Sequence, residues 1–184
     1  MKKILAILSL ALAGTAFAAD YVSVDVEQVK GRKGGTDSVA QYVRAGKSFG
    51  DMQFGLQART GRFEGGGLTN SLELTASNSK FNLYGITPFV GVGYDNGFNA
   101  AKGSDYQYGL VGATYGVKVG TGFALVGVKT RVGSTEDGPR TKQTLSFATY
   151  SLPVAKNLAL NFNVSRSDQT IKEEAVGLGL SVSF

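Results

Sequence analysis

The sequence has 184 residues, with no Cys and no His, and its formal net charge at pH 7 is +5. The absence of Cys excludes a disulfide framework, and the absence of His excludes Ser-His catalysis and His-ligated metal sites. So small a positive charge does not indicate a nucleic-acid partner, and we expect no cofactor and no enzymatic activity.

The first 19 residues have the pattern of a secretory signal. Lys2 and Lys3 precede an apolar run over residues 4–13, and small residues follow at 16–19. This order predicts a cleaved signal peptide at 1–19 and a single domain at 20–184. The apolar run is too short to cross a membrane as a helix, and no later stretch supplies the roughly 18 apolar residues that a transmembrane helix needs.

Ten segments after the signal alternate between apolar and polar residues, which is the periodicity of β-strands. Turn-forming residues separate them, as in an all-β barrel or sandwich. In chain order the predicted strands cover 21–30, 39–47, 52–62, 71–77, 86–95, 106–119, 124–133, 144–152, 158–165 and 174–184. We predict residues 78–85 to be a turn, and eight strands is the alternative if such a weak segment is misassigned.

The last predicted strand has the most regular pattern of the ten. One face carries only small or polar residues, and the other carries Val176, Leu178, Leu180, Val182 and Phe184. Its length of about ten residues is what a tilted strand needs to cross a bilayer. The strand resembles the C-terminal strand of bacterial outer-membrane β-barrels. The resemblance implies that these five side chains form the signal by which the outer-membrane assembly machinery recognises the chain.

These patterns predict a single closed, antiparallel, up-and-down transmembrane β-barrel. Its mature domain would lie in the outer membrane of a Gram-negative-type bacterium, and we expect a monomer. A soluble exported ligand-binding barrel shows the same alternation with the faces reversed. The membrane is favoured by the small polar faces and by aromatic residues near strand ends, which would form interfacial girdles. These aromatic residues are Tyr21, Phe49, Phe63, Tyr94, Tyr106 and Phe184.

Charged residues collect on the strand face that would point into the lumen. They are Asp25, Glu27, Arg44, Arg59, Glu73, Lys129 and Arg131. Eight- and ten-stranded barrels are largely filled by side chains, which favours a network of ion pairs that plugs the lumen. The pattern resembles the transmembrane domain of outer membrane protein A and its relatives, whose lumens hold such pairs. We therefore predict a structural role in the envelope, and a narrow channel for ions or small solutes is the alternative.

Basic residues also gather in the first predicted loop, at Lys30, Arg32 and Lys33. They form either a solvated rim or a contact for the anionic groups of lipopolysaccharide. The expected partners are therefore membrane lipids, lipopolysaccharide and the barrel assembly machinery, without nucleic acid. The triplet Gly46-Lys47-Ser48 is similar to the end of a phosphate-binding loop, but Gln41 stands where that motif needs Gly and no helix follows.

Overall fold

The computed structural model describes residues 19–32, 37–64, 66–99, 104–135, 141–168 and 172–184. The predicted signal peptide therefore lies outside the described residues, except for Ala19. Within these ranges the chain forms ten β-strands. They are β1 (Tyr21–Arg32), β2 (Ser38–Phe49), β3 (Met52–Phe63), β4 (Leu68–Asn78), β5 (Ile86–Asn99), β6 (Ser104–Val119), β7 (Gly122–Thr135), β8 (Thr141–Ala155), β9 (Leu158–Asp168) and β10 (Lys172–Ser183).

The ten strands close into one antiparallel barrel. Each strand pairs with its neighbours in the chain, and β1 pairs with β10 from Tyr21↔Ser183 to Arg32↔Lys172. Every strand thus has two partners, so no backbone edge is left unpaired and the sheet meets the requirement for crossing a lipid bilayer. The predicted up-and-down barrel of ten strands is confirmed.

The strands are longer than the sequence pattern predicts. The observed β6 has 16 residues and β8 has 15, because pairing continues through polar positions such as Ser104 and Thr141 and past Pro153, which pairs with Ala159. The predicted turn at 78–85 is present as a short 3-10 helix, Ser79–Phe81, followed by a Leu83↔Ile86 bridge. No helix in the described part of the chain is long and apolar enough to span a membrane.

The apolar face of the sheet lies on the outside of the barrel. Leu178 is 60% exposed, whereas Glu73 on the opposite face is only 4% exposed. Many of the outward positions along the strands carry Val, Leu or Phe, and we call the surface that they form the apolar band. A soluble barrel would bury these side chains and expose the charged ones. An apolar surface of this extent instead suits contact with lipid.

Several aromatic residues face the lumen, and this corrects part of the predicted girdle. Tyr106 is 1% exposed and stacks on Tyr108 with ring centroids 5.1 Å apart, and Phe63 lines the lumen. Leu145 and Phe147 of β8 also line it. Glycine makes room for these rings: a Cβ at Gly127 would collide with Phe147. Aromatic residues therefore lie in the interior of the barrel as well as at strand ends.

The two ends of the barrel differ. At one end the turns are short, with two residues at 50–51, 120–121 and 156–157 and seven at 79–85. The connections at the opposite end contain all the internal residues that lie outside the described ranges. We call these the short-turn end and the loop end. In bacterial barrels the short turns face the periplasm and the longer loops face the exterior.

Candidate functional site: a charge network in the lumen

The first part of the network is built on neighbouring strands by strand parity. Asp25 and Glu27 on β1 are two residues apart, so both point inward, and Arg44 of β2 lies beside them. The Arg44 guanidinium forms salt bridges with Asp25 and, at 3.2 Å, with Glu27. Its Nε donates to Gln57 Oε1 at 3.0 Å, and its cationic carbon lies 4.4 Å from the centroid of the Tyr42 ring. One arginine thus pairs with two buried carboxylates while three kinds of contact fix its orientation.

The second part is centred on Glu73, which projects from β4 and meets cations from β7. The carboxylate forms salt bridges with Lys129 and, at 2.7 Å, with Arg131 Nη2. It also accepts a hydrogen bond from the Tyr108 hydroxyl at 3.2 Å. The Arg131 guanidinium lies 4.8 Å from the centroid of the Tyr108 ring. These contacts join strands that are not sheet neighbours, so side chains bridge the lumen between β4 and β7.

Uncharged polar side chains extend the network toward β9. Arg131 Nη1 donates to Gln143 Oε1 at 3.2 Å, and Gln143 Nε2 donates to Ser167 Oγ at the same distance. Elsewhere on β9, Asn163 Nδ2 donates to Asp25 Oδ1 at 2.8 Å. That bond passes over β10, whose inward positions beside Asp25 and Asn163 are Gly177 and Gly179. Glycine is needed there because a Cβ at Gly179 would collide with the Asp25 carboxylate.

A third group lies nearer the loop end, on β3 and β5. Arg59 is stacked 5.9 Å from the centroid of the Tyr42 ring, and Asp95 is 6% exposed. Among the described residues, Arg59 Nε and Asp95 Oδ1 are buried without a hydrogen-bond partner. Asp95 is not among the charged residues predicted for the lumen, although it lies two and four residues after Gly93 and Gly91 on the same face of β5.

All seven charged residues predicted for the lumen are on the inward face, and Asp95 joins them. Together the eight provide four carboxylates and four cations. Six of them are joined by salt bridges, and Arg59 and Asp95 stand apart from that set. A balanced set of buried charges can hold the two walls together without creating a strong net potential inside the barrel.

A cavity of about 1020 Å³ runs along the lumen. Its lining includes Asp20 and Ser48 at the short-turn end and Asp95 and Glu173 near the loop end. In between, the charged residues share the interior with Ser, Thr and Asn side chains. Among the described residues there is no group of three Asp, Glu, His or Cys side chains that could hold a metal ion.

The basic candidates at the first loop are only partly described. Lys30 is exposed on the outward face of β1, Arg32 ends that strand without a described side chain, and Lys33 lies outside the described residues. Two other exposed cations, Arg62 and Lys142, also occupy outward positions near the loop end. These wall positions cannot be told from loop positions in the sequence pattern, because β1 and β8 extend beyond the predicted strands.

The phosphate-loop-like triplet has a different role. Lys47 Nζ forms a salt bridge with Asp20 at 2.9 Å, and the Ser48 backbone N–H donates to the same carboxylate at 2.7 Å. The hydrogen bonds from Lys47 and Ser48 hold the pKa of Asp20 below its usual value. These residues therefore tie the start of β1 to the end of β2.

The five apolar residues of the last strand lie together on the outer wall. Val176, Leu178, Leu180, Val182 and Phe184 are all exposed on the side of β10 that belongs to the apolar band. The opposite face of the strand is occupied by Ala, Gly and Ser next to the lumen network. This geometry leaves the five side chains accessible, and their role as an assembly signal stays a prediction.

The comparisons with known proteins show a similar fold in solved structures but no family to which the chain can be assigned. No protein-family profile matches the sequence, and no curated protein matches it either. Among solved structures, the translocator domain of the autotransporter NalP from Neisseria meningitidis is similar over 98% of this chain and 96% of its own, with 9% identity and a TM-score of 0.50. Neisserial surface protein A matches over 89% and 96% (13% identity, TM-score 0.47). The N-terminal barrel domain of Pseudomonas aeruginosa OprF matches over 90% and 98% (12% identity, TM-score 0.38).

The fold is that of a bacterial outer-membrane β-barrel. At these identities the likeness extends to the architecture alone, so activity has to be argued from the chain's own residues. The described residues combine an apolar outer wall with a network of paired charges inside the barrel.

Proposed function

We propose that this chain is an integral protein of the outer membrane of a Gram-negative-type bacterium, where it has a structural role in the envelope. The observation that carries the proposal is the combination of an apolar outer wall with ion pairs that cross the lumen. Lipid contact stabilises exposed residues such as Leu178 and Val90, because removing apolar surface from water is favourable by about 25 cal/mol per Å². Catalysis has no support in the His-free sequence.

Two features of the network support a closed lumen. The Arg44 and Glu73 clusters each hold their charges with several simultaneous contacts, so moving either side chain aside for a passing ion would break several bonds at once. The four carboxylates also balance the four cations. A constriction that selects ions generally shows an excess of one sign, and these eight residues have none, although Asp20 and Glu173 also line the cavity.

The alternative function is a narrow channel for ions or small solutes. One observation favours it: the lumen cavity is lined by residues from both ends of the barrel, from Ser48 to Glu173. If the ion pairs leave a continuous water path beside them, the same barrel conducts. The two functions differ in a single measurable property, which is the conductance of the intact protein.

Single-channel recording of the full chain refolded into planar bilayers tests this proposal. We expect no discrete conductance steps at either polarity. The double variant Asp25→Ala, Arg44→Ala is the matched positive control, because it removes two of the three charged side chains of the first cluster and leaves only Glu27; we expect it to conduct. Reproducible steps from the unmodified protein would contradict the structural role and support the channel.

We also propose lipopolysaccharide as a contact of the outer wall. Lys30, Arg62 and Lys142 are exposed at outward positions near the loop end of the apolar band, where phosphate groups of the outer leaflet would lie. A basic side chain near an anionic membrane surface contributes about 1 kcal/mol. Assembly by the barrel machinery and a monomeric state complete the proposal, and both rest on the resemblance stated above.

Replacing Lys30, Arg62 and Lys142 together with Gln should lower the amount of co-purifying lipopolysaccharide by about tenfold or more. The control is Lys80→Gln, which removes an exposed lysine at the short-turn end, where it pairs with Asp51. Lipopolysaccharide per mole of protein would be measured after detergent extraction. Equal amounts on both proteins would remove this contact from the proposal.

A further inference from the structure

The turn between β4 and β5 is unlike the other turns at the short-turn end. It has seven residues, 79–85, whereas the described turns beside it have two. Three of the seven are large apolar or aromatic side chains, Phe81, Leu83 and Tyr84, and all three are exposed. Tyr84 is 99% exposed. A turn that only reversed the chain in water would not need this composition, since turns favour Gly, Asn, Asp, Ser and Pro.

Hydrogen bonds fix the shape of this turn. Asn82 Oδ1 accepts from the Gly85 backbone N–H at 2.9 Å, and Asn82 Nδ2 donates to Thr87 Oγ1 at 3.0 Å. Leu83 and Ile86 exchange backbone hydrogen bonds of 3.0 and 2.9 Å. The base of the turn is joined to the neighbouring turn, because the Ser79 N–H donates to the Asp51 carbonyl oxygen at 2.8 Å. The exposed side chains therefore stand on a well-defined backbone.

The backbone at the tip makes the choice of Tyr84 informative. Within the seven-residue turn, the Leu83↔Ile86 bridge closes a tight turn whose two central residues are Tyr84 and Gly85. Tyr84 has φ 53° and Gly85 has φ 88°, so both are in the left-handed region. Asn, Asp and Gly are the residues that usually occupy such positions. A tyrosine is unfavourable there, and its ring gains no compensating burial within the barrel. Contacts from outside the chain would offset this cost.

The adjoining surface indicates what those contacts are. Ile86 pairs with Tyr115 in the sheet, and both are exposed on the apolar band. Gly85 lies directly over the Tyr115 ring, since a Cβ added there would be 2.8 Å from Tyr115 Cε2. The turn thus continues the apolar band past the end of the strands. Tyrosine has an apolar body and a polar tip, which is the combination found where a membrane meets water.

We propose that this turn is a membrane anchor: Phe81, Leu83 and Tyr84 insert into the boundary between acyl chains and headgroups of the leaflet at the short-turn end. The inference rests on the proposed location of the barrel in a membrane. Because the described turns at 50–51, 120–121 and 156–157 are too short to do the same, the anchor holds the barrel on one side and fixes its depth and tilt.

The chain contains no Trp, so Tyr84→Trp introduces a single fluorescent reporter at the tip of the turn. The full-length variant would be refolded into phosphatidylcholine vesicles whose acyl chains carry bromine at defined depths. We expect blue-shifted emission, with stronger quenching by bromine near the headgroups than by bromine near the bilayer centre. Phe81→Trp is a second reporter in the same turn, in case the first variant does not fold.

Two control variants separate the possible outcomes. Phe162→Trp lies on the apolar band and should be quenched by brominated lipid, which tests whether the barrel inserts at all. Lys156→Trp lies in an exposed two-residue turn at the same end and should remain unquenched. If Phe162→Trp is quenched while Tyr84→Trp and Phe81→Trp behave like Lys156→Trp, the anchor is overturned and the membrane barrel stands. If Phe162→Trp is not quenched, the proposed function itself fails.

Discussion

Glu73→Gln is expected to destabilise the barrel by about 3–5 kcal/mol, which is the typical cost of removing one partner from a buried ion pair. The substitution keeps the volume and most of the hydrogen-bonding capacity of the side chain. It removes the negative charge that both Lys129 and Arg131 contact. The cost arises from the two cations, because they stay enclosed and no other described salt bridge compensates them.

The measurement is the free energy of unfolding, from guanidinium titration of protein refolded in vesicles. Asp51→Asn is the matched control: it removes the carboxylate of the exposed pair with Lys80, whose Nζ is 2.7 Å from Asp51 Oδ2, and exposed pairs contribute at most about 1 kcal/mol. A second variant, Glu73→Gln with Lys129→Met, should recover part of the loss because one stranded cation is gone. Equal small effects for Glu73→Gln and Asp51→Asn would show that the lumen is wet enough to screen its charges.

The barrel itself could be predicted because the length and the two-residue alternation of a bilayer-spanning strand are visible in each segment of the sequence separately. In β10, the two-residue alternation from Val176 to Phe184 defines both faces without reference to any other strand. Parity likewise assigns Asp25, Arg59 and Arg131 to the same interior. A one-residue slip would exchange the two faces of a strand, so this part of the sequence signal is strong.

The contacts within the lumen could not be predicted in the same way. Parity says which face a residue occupies, but not which residue it meets across the barrel, since that depends on the stagger and curvature of the closed sheet. Glu73 meets cations 56 and 58 residues later in the chain. Asp95 was missed because it lay at a predicted strand end. The inward rings of Tyr106 and Phe147 were missed because aromatic residues suit both girdles and interiors.

Gly179→Ala is the second change expected to have a large effect, although it adds only one methyl group. The new Cβ would collide with the Asp25 carboxylate and lie 2.7 Å from the Val24 carbonyl oxygen. Overpacking of this kind typically costs about 1–3 kcal/mol. Moving the Asp25 carboxylate away from the new Cβ would also strain its hydrogen bond from Asn163. Hydrogen bonds to charged groups contribute about 1.5–3 kcal/mol.

Gly109→Ala is the control, with the same chemical change in a strand where an added Cβ meets nothing within 4 Å. We expect it to leave the unfolding free energy unchanged or slightly raised, because alanine has less conformational freedom than glycine in the unfolded chain. The cause of the Gly179→Ala effect can then be isolated with Asp25→Ala. If crowding of the carboxylate is responsible, the two changes combine to less than the sum of their separate effects. Strict additivity would instead assign the loss of stability to the pairing of the β1 and β10 backbones. The hydrogen bond from Asn163 to Asp25 would then contribute nothing to the stability of the barrel.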